Sequence, residues 1–240
     1  MPVIKLSNGE ILRYKTIPIF SGVNRLDKDA ALDSLRHLKE VLDRKGVEFQ
    51  IAYGTLLGAV RDNEFIAHDE DIDLIFLAER KQEVLDSLPD IVKEGFQIAR
   101  YDRRGLVSII RQGVYVDLYF FERRPGGVRY CGGQLCPAEI LEETTDFVFK
   151  GLSVKVPARY VDFLVYEYGE NWQTPVEYFH FEMPGWKKAL LTLKAYVKEE
   201  LPDWLYFKFT KSLEDKVSKP YLPKMEAFRK RYPLRKEDAV

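Results

Sequence analysis

Residues 71 to 77 read Asp-Ile-Asp-Leu-Ile-Phe-Leu. The apolar residues of Ile72 to Leu77 predict a strand buried on both faces, so helices must cover the sheet that contains it. Asp71 and Asp73 stand at its start with period two, which puts both carboxylates on one side of the extended chain. Two carboxylates so placed can hold a divalent cation between them.

The preceding segment supplies a complementary feature. Val47 to Ala52 predicts a strand and Thr55 to Val60 a short helix, with Gly54 just ahead of it. Free backbone amides and the positive end of the helix dipole attract phosphate at such a start. A metal pair beside a phosphate cradle predicts phosphoryl-group transfer. That chemistry needs charge neutralisation, in-line placement of the attacking oxygen and a route for its proton.

Asp117 is the candidate third acid. It lies in Val116-Asp117-Leu118-Tyr119-Phe120, where burying a carboxylate is costly unless a cation or hydrogen bonds compensate. An edge-strand residue facing water is the other reading of that run. Arg61 suits bidentate pairing with a donor phosphate. His68 and Asp69, in the loop before the second strand, either position substrate or order the turn. A calcium loop starting at Asp69 is disfavoured, because Leu74 stands at its glycine position and Arg80 at that of its closing glutamate.

The rest of the chain predicts an α+β fold. Asn8-Gly9 joins two short apolar runs as a hairpin. A helix runs from Asp27 on Ala31, Leu35, Leu38 and Leu42 and stops at Gly46. Lys81 to Glu94 is an amphipathic helix bent at Pro89. Phe96 to Tyr101, Leu106 to Arg111 and Val114 to Phe121 are strands, and Phe147 to Phe149 pairs with Leu152 to Val156. Beyond Pro157 the pattern is helical, from Tyr160 to Tyr168 and then from Trp186 to Ser218 with a break at Pro202. Residues 1–180 are expected to form the catalytic domain, and 181–240 a helical annex packed on it. Trp172, Trp186 and Trp204 are read as core residues of that region, with an acceptor-facing sugar platform as the alternative.

With 240 residues, 46% of them hydrophobic, the chain can bury a full core. A net charge of -1 provides no broad cationic field, which disfavours a nucleic-acid partner. No signal peptide or bilayer-length apolar run is evident, so a cytoplasmic location is expected. Arg229-Lys230-Arg231 and Arg235-Lys236 read as a solvated basic tail able to contact an anionic membrane surface. Cys131 and Cys136 are read as structural thiols in a glycine-rich turn.

Tyr53-Gly54-Thr55-Leu56-Leu57-Gly58-Ala59-Val60-Arg61, then Phe65-Ile66, then His68-Asp69-Glu70-Asp71-Ile72-Asp73-Leu74, resembles the signature of the LicD family, to which fukutin and fukutin-related protein belong. Val156-Pro157 through Tyr168-Gly169 and Pro175 resembles its C-terminal element. The resemblance implies a nucleotidyltransferase-like mixed sheet flanked by helices. Gly54 and Thr55 would approximate the phosphate-binding turn, Asp71 and Asp73 the metal pair, and Asp117 the third acid. It also implies transfer of a phosphorylated alcohol, such as phosphocholine or a polyol phosphate, from a CDP-linked donor to a sugar hydroxyl of a glycan, releasing CMP. Magnesium is the expected metal, with manganese as the substitute. Two positions depart from the pattern: His68 stands where tryptophan is frequent, and Glu70 where aspartate is usual. Nucleotidyl transfer from an NTP and a catalytically silent scaffold for glycan assembly are the competing readings of the same residues.

Overall fold

The structure is a computed structural model that describes residues 1–20, 22, 25–176 and 182–234. The chain opens with the expected hairpin, β1 (Val3–Lys5) and β2 (Ile11–Arg13), whose turn places Gly9 at φ +87°. The first helix, α1 (Lys28–Lys45), begins at Asp27, whose carboxylate accepts the amides of Asp29 and Ala30. It ends where Gly46 adopts φ +67°, a left-handed conformation that costs glycine little.

β3 is only Gln50–Ile51, shorter than the expected strand, although Val47 and Phe49 beside it are buried. The next helix, α2 (Tyr53–Asp62), starts two residues earlier than expected, so Gly54 lies within its first turn instead of preceding it. β4 (Asp71–Leu77) is followed by a short 3-10 turn and α3 (Lys81–Lys93), which continues through Pro89. Then come β5 (Gln97–Asp102), β6 (Leu106–Arg111) and β7 (Val114–Arg124).

The cysteine region is a second hairpin, β8 (Val128–Cys131) and β9 (Gln134–Pro137). Both thiols are buried and unpaired, and burial pushes the Cys131 thiol up to about 12, which makes it unreactive. After the single turn α4 (Ala138–Leu141), β10 (Thr144–Phe149) pairs with β11 (Leu152–Pro157). Four helices close the chain: α5 (Tyr160–Tyr168), α6 (Gly185–Glu200), α7 (Asp203–Ser218) and α8 (Tyr221–Arg231).

The main sheet runs β10-β11-β3-β4-β7-β6-β5. β4 pairs parallel with β7 and β11 with β3, and the remaining pairs along the path are antiparallel, which makes this a mixed α+β sheet. Its centre, β4 beside β7, is buried on both faces as the apolar run of β4 demanded. Phe76 and Phe120 stack on one face with ring centres 5.6 Å apart. Asp71, Asp73, Asp117 and Tyr119 occupy the other face, because side chains alternate along a strand.

Two expectations fail in the C-terminal region. Arg229 to Arg231 are the last turn of α8 rather than a free tail. The Arg229 guanidinium bonds the Glu139 carboxylate and the Gly127 carbonyl, docking α8 on α4. Arg235 and Lys236 lie outside the described residues. Trp172 is buried, but Trp186 and Trp204 are 71% and 70% exposed and are not core. Helical spacing alone cannot show which side of a helix meets the sheet.

Candidate active site

A cleft of about 440 Å³ opens over the start of β4. Asp69, Asp71 and Asp73 line it together with Gly54, Arg61 and His68. Six of the eight residues singled out from sequence therefore meet in one cavity, drawn from three consecutive segments: α2, the loop after it, and β4.

Local packing explains the shape. Tyr53 holds φ +45°, a strained value for a residue with a side chain. Its ring is clamped between Tyr119 and Phe163, at centre distances of 5.4 and 5.5 Å, and its hydroxyl donates to Gln134 Oε1 at 3.0 Å. That clamp directs the start of α2 at the carboxylates. The first amides of a helix lack helical acceptors, so they are available to an anion in the cleft.

Gly54 is required by contact. A Cβ there would stand 2.9 Å from the Asp69 carboxyl carbon, so any larger residue displaces Asp69. Gly54→Ala is expected to destabilise the fold by about 1–3 kcal/mol, the usual cost of overpacking, measured by urea denaturation. A cost near zero would mean that the Asp69 carboxylate is free to move aside.

Thr55 requires a correction. It is fully buried, and its hydroxyl accepts the Asp73 amide at 3.0 Å, so it braces β4 and has no surface toward a phosphate. Arg61 lines the cleft, with its guanidinium held by Asp62 at 2.8 and 2.9 Å.

The acids repel one another. Burial pushes Asp71 and Asp73 well above the usual carboxylate range, and neighbouring carboxylates add to it: chiefly Asp117 for Asp71, and Asp71 for Asp73. Burial likewise pushes Asp69 up to about 6. Its Oδ1 accepts the Glu70 amide at 3.2 Å, while Oδ2 is buried with no hydrogen-bond partner. Such a site gains most from a bound cation, and an all-oxygen donor set selects a hard one, magnesium or manganese over zinc.

Asp117 lies in register with Asp73 on the neighbouring strand, but outside the lining of the cleft. Its carboxylate accepts the Ser108 hydroxyl and, at 3.2 Å, the Arg100 guanidinium. Ser108 Oγ in turn accepts Arg100 Nε at 2.8 Å. The three aspartates thus share a sheet face without sharing one ligand shell. Among the described residues, no three acidic, histidine or cysteine side chains already surround a metal-sized point. Asp71 and Asp73, with the unsatisfied Asp69 oxygen, fit a cation; Asp117 joins them only if its bridge to Arg100 opens.

Sequence reasoning missed Arg100 and Ser108, which belong to strands distant in the chain. It also gave no site role to Tyr168, at the end of α5, or to Asn171 just beyond it, and both line the cleft together with Trp172, which was read as core. Glu70, noted only as a departure, lines it too, and its carboxylate accepts the Gly22 amide at 2.8 Å.

Residues 46–159 match the family model described as LicD/FKTN/FKRP, nucleotidyltransferase domain. This segment is a LicD-family domain. It contains α2, β4 and β7, and so every acid described above. Ribitol-5-phosphate transferase FKTN of Homo sapiens is 25% identical over 174 residues, covering 68% of this chain and 36% of the relative. An uncharacterized protein of Rickettsia typhi is 25% identical over 123 residues, covering 50% of this chain and 35% of that one. The chain thus spans about a third of the length of these relatives. Among solved structures, ANT(2'')-Ia in complex with adenylyl-2''-tobramycin overlaps with 84% of this chain and 98% of its own, at 16% identity and a TM-score of 0.42. A lincosamide antibiotic adenylyltransferase bound to lincomycin covers 54% of this chain and 81% of its own, at 14% identity and a TM-score of 0.40. Assignment to the LicD family rests on the sequence match, not on these overlaps. No helix among the described residues is long and apolar enough to cross a membrane.

Proposed function

We propose that this chain transfers a phosphorylated alcohol from a CDP-linked donor to a sugar hydroxyl of a glycan. The observation that carries the reading is the convergence of Asp69, Asp71 and Asp73 with Arg61 and the Gly54 helix start in one cleft. Asp71 and Asp73 hold magnesium, which when bound neutralises phosphate charge. Arg61 and the first amides of α2 grip the donor phosphates. The acceptor oxygen attacks the phosphorus that bears the alcohol, the bridging bond to the cytidine-side phosphate breaks, and CMP leaves with the electron pair. The acceptor proton passes to a cleft carboxylate or to water.

Similarity to a ribitol-5-phosphate transferase makes CDP-ribitol the first donor to assay, followed by CDP-glycerol and CDP-choline. The assay scores CMP from CDP-alcohols against pyrophosphate from NTPs, with magnesium present. CMP release is the expected result; pyrophosphate alone would replace this reading with nucleotidyl transfer.

Cation binding should also depend on pH. Asp69 holds its proton up to about pH 6, so a cation competes with that proton below this value and binds the ionised carboxylate above it. Magnesium is expected to raise the melting temperature at pH 8 and to have little effect at pH 5. A shift of equal size at both values would remove Asp69 from the cation site.

A further inference from the structure

Helix α6 carries Trp186, Leu190, Leu193 and Val197 at helical spacing, i, i+4, i+7 and i+11, so they form one stripe. All four are exposed, from 44% for Leu190 to 71% for Trp186, and no residue of α6 is buried. The next helix, α7, adds Trp204 and Phe207, at 70% and 46%. An apolar helix face of this kind needs a partner.

Charge identifies the partner. Between residues 185 and 219 there are eight lysines and five acids, in a chain whose net charge is -1. Glu200, paired with the N-terminal amine, and Asp215 are exposed, and the other three acids are engaged by the rest of the chain. Glu199 accepts the Tyr14 hydroxyl, Asp203 pairs with Arg103, and Glu214 accepts the Tyr130 hydroxyl. Lys194, Lys208 and Lys211 are exposed. Within α6, Lys194 is rotated about 80° from Trp186 at 100° per residue, on the rim of the stripe. On α7, Lys208 and Lys211 stand four and seven residues after Trp204, on the same side of that helix.

We propose that α6 and α7 form a docking surface for an anionic lipid bilayer, with the apolar stripe at the acyl boundary and the lysines at the headgroups. Exposed tryptophan, aliphatic residues and flanking lysines are the composition of an interfacial helix. This surface differs from the basic tail expected from sequence and does not depend on the reaction proposed for the cleft.

The test is co-flotation of the chain with vesicles of phosphatidylglycerol and phosphatidylcholine, against vesicles of phosphatidylcholine alone. Binding is expected on the anionic vesicles only, and is expected to fall several-fold in about 0.5 M salt. Leu190→Glu with Leu193→Glu should weaken it about tenfold or more, as should Lys194→Glu with Lys208→Glu and Lys211→Glu. All five positions are exposed, and circular dichroism confirms that each variant is folded. Trp186 fluorescence should shift to the blue on binding and be quenched by brominated acyl chains. Absence of binding to anionic vesicles at low salt overturns the proposal, as does equal binding to both vesicle types. So does a dimer in sedimentation velocity that the Leu190→Glu, Leu193→Glu variant dissociates, since a second copy would then cover the stripe.

Discussion

Asp73→Asn is expected to melt at a higher temperature than the parent in metal-free buffer and to lose transfer activity by about a thousandfold or more, the scale for removing an electrostatic element of a reaction site. Asp73 is 7% exposed, and burial together with Asp71, Asp69 and Asp117 holds its carboxyl well above the usual range. A carboxyl with raised proton affinity in the fold favours the folded state while protonated, and that advantage disappears as pH rises through its folded value. At neutral pH the fold therefore opposes an ionisation that the unfolded chain makes freely, a burden that asparagine removes. Relief of about 1–3 kcal/mol corresponds to about 3–8 °C for a chain of this length. Magnesium should stabilise the parent and leave the variant unmoved. Thermal scans with and without magnesium, paired with CMP release, decide it; a variant that melts lower than the parent would show that the carboxylate holds the fold together.

Arg100→Met is expected to destabilise the protein by about 2–4 kcal/mol, somewhat below the cost of breaking a fully buried pair, because the guanidinium is 34% exposed. Asp117 is 6% exposed on its side chain and would be left with the Ser108 hydroxyl as its main partner. Adding Asp117→Asn to Arg100→Met should restore most of the loss, since the stranded charge is then gone. Urea unfolding of both single variants and the double variant closes the cycle. If the double variant is as unstable as Arg100→Met alone, Arg100 contributes through its packing and its bond to Ser108 instead of through charge.

Much of the site was legible because it is local in sequence. Gly54, Arg61, His68, Asp69, Asp71 and Asp73 lie within 20 consecutive residues, so strand period and the loop before β4 bring them together with little help from the rest of the chain. Thr55 was misjudged because a helix that begins at Tyr53 turns its hydroxyl to the Asp73 amide, and one residue of boundary error changes the direction of a side chain by about 100°. The extra length of β10, which starts at Thr144, was hidden because its first three residues are exposed and polar, with no apolar alternation to reveal them.

Sequence alone determined the mixed α+β plan, the buried strand with its two leading acids, and the family of the segment around them. Strand period and apolar content are properties of neighbouring residues, and they survive without knowledge of anything distant. Tertiary structure alone decided that Asp117 stands beside Asp73 yet belongs to Arg100 and Ser108, that Arg229 docks a helix, and that Trp186 and Trp204 face outward. Each depends on the partner that a side chain meets across the sheet or between helices. That partner is set by how separate elements pack, and it leaves no periodic trace in the chain.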